Sequence, residues 1–409
     1  MNSFSEEITL EGHIIDSGIL AKVWGTIMDL GGEYDLLEFR VGKRKDETSY
    51  ARMRISAASD AQLHQILTAI QDDGALLLSA DDVTTAPAPS DGALPDEFYS
   101  TTNLPTQVRL GGHWVDVTGT EMDLVIVVDK QNNTAHMIPM ADVRQGEPIV
   151  IGHDGIRVIP LERSREKETF SFMASNVSSE KPKALVIEEI AKQMKETRAH
   201  GGKILVVAGP AIVHSGAAPF LAQIIRAGYV QALFGGNAIA THDVEAAILG
   251  TSLGVALHNG QAIEGGHRHH MVAINTIRRA GSLRAAVEQG ILKQGIMYEC
   301  IRNNVELVLA GSVRDDGPLP DVITDMVVAQ RKMRAIVQSH PPVEMALMVS
   351  TMLHSIATGN MLPAAVKVVA VDINPAVVTK LADRGTFQAL GLVTDAELFM
   401  RELAEALGV

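Results

Sequence analysis

From Pro182 onward, apolar runs that end in glycine or a polar residue alternate with helix-forming stretches. "KILVVAGPAIVHSG" is a continuous apolar run breaking into a glycine-containing turn, and "AAPFLAQIIRAG" after it has helical spacing. "YVQALFGGNA", "VELVLAGSVRDDGPLPD", "EMALMVSTMLHS" and "VKVVAVDINPAVVTKLADRG" repeat the design. Strands that are apolar on both faces must be covered on both faces, so the alternation predicts a parallel sheet with helices on either side. The expected class is therefore α/β, with a doubly wound nucleotide-binding domain over residues 182–409. Chemistry is expected at the carboxyl ends of its strands.

The preceding sequence follows other periods. Over residues 1–82, "EGHIIDSGILAKVWGTIMDLGGEYDLLEFRVG", "TSYARMRIS" and "DAQLHQILTAIQDDG" predict β–α–β–β–α, a small α+β domain of split-βαβ type, with Asp60 as a helix cap. "VTTAPAPSDGALP" reads as a linker or long loop. Residues 96–165 hold short runs such as "HWVDVTG", "DLVIVVD", "TAHMIPM" and "IRVIPLE" between turn residues, which predicts a β-rich module.

Composition removes several function classes. Among 409 residues the formal charge is −14, which disfavours nucleic acid as a partner. No apolar run reaches the roughly 18 residues of a membrane span, and "MNSFSEEITLEGH" carries no apolar secretion core, so neither a membrane partner nor export is expected and the location is read as cytoplasmic. One cysteine, Cys300, excludes an intrachain disulfide; within "IMYEC" it reads as a packing residue.

The strand ends supply the candidate site. "VVAGPAIVHSGAAPF" departs from the GxGxxG fingerprint, yet Gly209, Ser215 and Gly216 would let backbone N–H groups meet a phosphate. Asp372 in "VVAVDINPAVV" suits the diol of an adenosine ribose, or caps the helix that Asn374 and Pro375 begin. "LFGGNAIATHDVEAA" offers glycines for close approach and Asn237 as donor and acceptor, with His242 and Asp243 read as part of a helix start. Ser350, Thr351, His354 and Ser355 are candidates to line a cofactor groove. Arg314, Asp315 and Asp316 leave one strand together; an arginine can clamp a carboxylate, and adjacent carboxylates in a cleft suit proton transfer. "AIEGGHRHHM" is a glycine-hinged loop entering a helix near His269, with Glu264, His267 and Arg268 toward a pocket. His267, His269 and His270 stand too close together to converge from a regular element, so no metal is expected.

Several of these motifs carry a resemblance. "GNAIATHDVEAAILGTSLG", "EGGHRHHMVAINTIRRAG", "GIMYECIRNNVELVLAGSVRDDGPLPD", "MLHSIATGNMLP" and "VDINPAVVTKLADRG" resemble the NAD-dependent ornithine cyclodeaminases of the archaeal and cyanobacterial type. "EGHIIDSGI" and "SYARMRI" resemble the region shared by lysine-oxoglutarate reductase/saccharopine dehydrogenase enzymes. The resemblance implies a Rossmann-like C-terminal domain, NAD as cofactor and L-ornithine as substrate, with L-proline and ammonia as products. It carries NAD contacts onto Asn237, Ala238, Asp316, the "TMLHS" strand end (Thr351, Met352, Leu353, His354, Ser355), Asp372 and Asn374. The implied reaction needs a base for the δ-ammonium, for which Asp315, Glu264 and His267 are the candidates, and a clamp for the α-carboxylate, for which Arg268 or Arg314 serves. Cyanobacterial relatives carry an arginine-degrading domain ahead of this region, and that activity is not expected here. A homo-oligomer is the expected state. The alternatives are a saccharopine-type amino-acid dehydrogenase and a nucleotide-sensing module without turnover.

Overall fold

The computed structural model describes residues 4–44, 47–71, 73–77, 81–160, 183–257, 261, 263–315, 317–383 and 389–409. The chain divides into two compact units, Met1–Phe172 with Asn360–Ala365, and Met173–Gly359 with Val366–Val409.

The first unit opens with β1 (Phe4–Gly12), α1 (Ile19–Asp29), β2 (Glu33–Arg40), β3 (Ser49–Ala57), α2 (Asp60–Gln71) and β4 (Leu76–Leu77). The strands form an antiparallel sheet in the order β2-β3-β1-β4. Alternation in "SYARMRISA" buries Ala51, Met53, Ile55 and Ala57 on one face, while Arg52 and Arg54 pair with Glu7 on the other. Leu20, Val23 and Ile27 of α1 and Leu63, Ile66 and Ile70 of α2 close that core.

A second sheet follows from β5 (Thr84–Pro87), β6 (Thr106–Leu110), β7 (His113–Thr118), β8 (Val125–Asp129), β9 (Thr134–Ile138), β10 (Pro148–Ile151) and β11 (Ile156–Val158). Its order is β11-β6-β7-β9-β8-β10-β5, antiparallel except for β7 beside β9. β5 lies inside the stretch that composition reads as linker. Among the described residues it is an edge strand paired with β10, where a proline without an N–H costs no ladder bond. Gln71 at the end of α2 donates to the carbonyls of His153 (3.0 Å) and Ile156 (2.8 Å), tying helix to second sheet. Ala364 is wholly buried with Leu104 and Val158, and its N–H donates to the Asn103 carbonyl at 2.8 Å.

The second unit runs α3 (Lys183–Ala199), β12 (Lys203–Ala208), α4 (Ala211–His214), α5 (Ala218–Arg226), β13 (Ala232–Gly236), α6 (Asn237–Leu249), the short hairpin β14 (Thr251–Ser252) and β15 (Val255–Ala256), α7 (His269–Ala280), α8 (Leu283–Glu288), α9 (Ile296–Arg302), β16 (Glu306–Ala310), β17 (Val322–Ile323), α10 (Met326–Val337), β18 (Val343–Val349), α11 (Leu353–Met361), β19 (Lys367–Asp372), α12 (Pro375–Asp383), β20 (Ala389–Val393) and α13 (Ala396–Leu407). The sheet is parallel throughout, in the order β17-β16-β13-β12-β18-β19-β20. All six residues of β12 are buried, as are Met345–Val349 of β18, which is why the sequence shows unbroken apolar runs there. Asp325 and Asp395 cap α10 and α13 by accepting the first free N–H groups. The chain steps outward from β12 to β17, then returns to β18 and runs the other way. The direction therefore reverses between β12 and β18, and the crevice beyond their carboxyl ends is the place where such sheets bind ligands. No helix among the described residues is long and apolar enough to cross a membrane.

Candidate functional site at the switch of strand order

Gly209 leaves β12 hard against the exit of β18. A Cβ on it would lie 1.8 Å from the Ser350 carbonyl oxygen, so the chain passes here only as glycine. Beyond the strand ends a cavity of about 820 Å³ opens within the second unit. Ala208 and Pro210 follow β12, Asn237 and Ala238 begin α6, Ser312, Arg314 and Asp315 follow β16, and Thr351 and His354 follow β18. Helix α7 contributes His270, Ile274 and Arg278, spaced i, i+4, i+8 along one face, with Met271 and Asn275 beside them. Because α6 starts at the wall, its unpaired N–H groups are available to an anion there.

Asp315 is fixed before any ligand arrives. One carboxylate oxygen accepts from the Asn237 side-chain amide (3.2 Å), the other from the Ser312 N–H (2.8 Å). Asn237 Oδ1 in turn accepts from Thr241 Oγ1 (3.2 Å) and the Leu319 N–H (3.1 Å), which pins the loop after β16 to the start of α6. Burial pushes the His354 imidazole below its ordinary pKa, opposed by its bond to the Ala310 carbonyl and by the nearby Asp315 charge.

His214 and His242, also in the lining, stand with ring centroids 4.7 Å apart. His214 Nδ1 lies 2.6 Å from Ser252 Oγ, and His242 Nδ1 lies 3.0 Å from Glu245 Oε2. Burial, then the neighbouring His242, lower the His214 pKa, with Glu245 opposing. Among the described residues no group of three or more His, Cys, Asp or Glu side chains could hold a metal ion.

Six of the residues singled out from sequence meet at this cavity: Asn237, Ala238, Arg314, Asp315, Thr351 and His354. Asp316 lies outside the described residues. Met352 is 38% exposed and Leu353 73%, both away from the cavity lining, while Ser355 is wholly buried with its hydroxyl unpartnered among the described residues. Asp372 and Asn374 sit one strand over, at the end of β19. Asp372 Oδ1 accepts the Asn374 N–H (2.8 Å), and Asn374 Oδ1 accepts the Ala376 N–H (3.0 Å) at the start of α12. Glu264, His267 and Arg268 are exposed and do not line the cavity. The reason is local. Gly266 is pressed so closely on Gly254 that a Cβ would meet backbone at 2.5 Å, and the short turn Gly266–Arg268 then sets α7 with His270 rather than His267 inward. His214 and Arg278 line the cavity without being named from the sequence, and His242, read there as part of a helix start, lines it as well. For His242 the signal was present, since "HDVE" puts His242 and Glu245 on one helical face.

Residues 188–403 match the family described as arginine dihydrolase ArgZ-like, C-terminal, Rossmann fold. Residues 105–187 match the first region of the same C-terminal part, and residues 5–104 match the LOR/SDH bifunctional enzyme conserved region. An ornithine cyclodeaminase of Methanocaldococcus jannaschii is 54% identical over 99% of this chain and 96% of its own. The chain belongs to the ornithine cyclodeaminase family. Within solved structures the family resemblance extends to apo ArgZ, an arginine dihydrolase from the ornithine-ammonia cycle in cyanobacteria, with a TM-score of 0.86 and 41% identity over 100% of this chain and 59% of that one. It extends also to a ternary complex of AgrE with ornithine and NAD+, with a TM-score of 0.52 and 42% identity over 99% of this chain. This chain spans 58% of the AgrE chain.

Proposed function

We propose that this chain converts L-ornithine to L-proline and ammonia with NAD as a resident cofactor. The observation that carries the reading is the cavity at the β12/β18 crevice. It is lined by a fixed carboxylate, Asp315, and by two arginines, Arg314 and Arg278, the two kinds of charge that a diamino acid requires.

The residues present suit a dinucleotide. The tight passage at Gly209 keeps side chains out of the crevice, the α6 N-terminus at Asn237 and Ala238 offers N–H groups to a pyrophosphate, and Asp372 keeps Oδ2 for a ribose diol. Thr351 and His354 in the lining, and Asn374 beside Asp372, complete the proposed cofactor contacts. Bound NAD supplies the redox chemistry, taking a hydride from the ornithine Cα and giving it back to the same carbon.

The protein's own residues do the rest. Arg314 and Arg278 hold the α-carboxylate, and Asp315 pairs with an ammonium of the substrate. The lining includes the apolar Met271, Ile274 and Leu253, and the reaction needs water kept from the Cα imine, which would otherwise go to an oxo acid. An ornithine cyclodeaminase of M. jannaschii, similar over nearly the whole length, supports this reading.

Ornithine deuterated at Cα tests it. Mass analysis should find the deuterium retained in proline, with no build-up of free reduced nicotinamide. Accumulating oxo acid with reduced cofactor would indicate a dehydrogenase of saccharopine type, and deuterium-free proline would overturn the hydride-return chemistry.

A further inference from the structure

Glu245 is wholly buried on α6. Its Oε1 accepts from Thr251 Oγ1 (2.8 Å) and the Gly254 N–H (3.0 Å), and its Oε2 from His242 Nδ1 (3.0 Å) and the Leu253 N–H (3.3 Å). Burial alone would raise this carboxyl, but the bonds from His242, Gly254 and Thr251 outweigh it and hold the group below its ordinary value. It is thus an internal anion, and among the described residues no lysine or arginine bonds it. Its one partner able to become a cation is His242, one helical turn back.

The protons along this chain of bonds are determined by counting. A carboxylate only accepts, so His242 Nδ1 donates, and the neutral ring carries its lone pair on Nε2. Thr251 has one hydroxyl proton, directed to Glu245, so His269 Nδ1, 2.8 Å from Thr251 Oγ1, must donate as well. The His242 ring lines the cavity, and Nε2 has no other partner among the described residues. Asp315, which also lines the cavity, has both oxygens tied to N–H donors, which suits a fixed counter-charge better than a proton carrier.

We propose that His242 is the base that removes the δ-ammonium proton of ornithine, with Glu245 as its positioning residue. In that step a δ N–H bond breaks and an Nε2–H bond forms, and the positive charge moves from substrate to a ring already paired with Glu245. The freed amine pair closes the ring on the Cα imine carbon. The departing ammonia later takes the proton from the ring and leaves as ammonium, which restores neutral His242. The proposal rests on the ornithine reading given above.

The test uses the enzyme loaded with NAD+ and compares wild type with His242→Asn, whose amide can still donate to Glu245, and with Glu245→Gln. The other titratable or charged groups sharing the cavity are His214, His270, His354, Asp315, Arg278 and Arg314, all unchanged in these variants. Expected for His242→Asn is a kcat lowered about 10²-fold or more at neutral pH, with the KM for ornithine and NAD+ binding within about threefold of wild type. Its rate should then climb roughly tenfold per pH unit toward the free amine's own pKa of about 10.4, because solvent must now deprotonate the substrate. Added imidazole should restore part of the rate. Glu245→Gln should lower kcat about tenfold and shift the acid limb of the pH profile. Should His242→Asn fail to fold, His242→Gln carries the same comparison. An unchanged pH profile in a folded His242 variant, or loss of NAD+ binding in step with kcat, overturns the assignment of the base alone. A wild-type enzyme that forms no proline overturns the ornithine reading and this proposal with it.

Discussion

Asp243 and Glu245 lie two residues apart on α6, both are buried, and their protonation is biased in opposite directions. Among the described residues Asp243 accepts two bonds, from the N–H groups of Ile296 and Met297 at 2.8 Å each, and burial raises its pKa from 3.8 to about 6. The folded state therefore binds the extra proton, and stability falls as pH rises from about 4 to about 6, by an amount on the order of 2–3 kcal/mol. Glu245 has the reverse sign: its folded pKa is depressed, so its contribution is complete above its ordinary value of 4.5 and is lost as pH drops through the folded value. Urea midpoints measured across that pH range should show the decline in wild type and its absence in Asp243→Asn; a decline of equal size in the variant would mean that another group causes it. Asp243 itself shows why single residues are hard to read from sequence. Its role as a cap for α9 depends on Gly295, whose φ of 105° and missing Cβ let the turn close on the carboxylate. Nothing near Asp243 in sequence announces a partner some fifty residues later.

Among elements, the exits of β12 and β18 are the tightest point. Gly209→Ala would drive a Cβ into the Ser350 backbone, which cannot swing aside as a side chain could. A loss of roughly 1–3 kcal/mol is expected by urea denaturation, together with weakened NAD binding. Gly201→Ala, where φ is +84° but the surrounding space is open, should cost about 1 kcal/mol and leave NAD binding intact. Equal effects of the two substitutions would show that the crevice tolerates more than its geometry suggests. The helices and parallel strands around this point were legible because their signals are local: unbroken apolar runs in "KILVVA" and "MALMV", and a helix beginning at His269 after paired glycines. Two things were not. β5 carries the composition of a loop and becomes a strand only by pairing with β10. The inward face of α7 is set by the contact of Gly266 with Gly254, so His270 and Arg278 meet the cavity while Glu264, His267 and Arg268 do not.

For the molecule as a whole, a ligand that binds only the folded second unit must stabilise that unit by mass action, by about 2.7 kcal/mol at a hundredfold excess over Kd. Hydrogen exchange with and without NAD should therefore slow in β12, β13, β18 and β19, with β1–β3 of the first unit unchanged. Protection confined to the first unit would move the nucleotide elsewhere. The large-scale architecture followed from periodicity, since a period of two and unbroken apolar runs demand different sheets. What periodicity does not reveal is that Asn360–Ala365, which begins with the last two residues of α11, belongs to the first unit. This has a consequence for the order of events in the cell. Translation delivers the chain from its N-terminus, and domains tend to fold as they emerge. Here the first unit must wait: Leu104 and Val158 leave the ribosome long before Ala364, the residue buried against them. The first unit to be synthesised is therefore completed only when almost the whole protein has been made, so a ribosome stalled between the two segments would hold out a unit with an uncovered seam, open to chaperones and proteases.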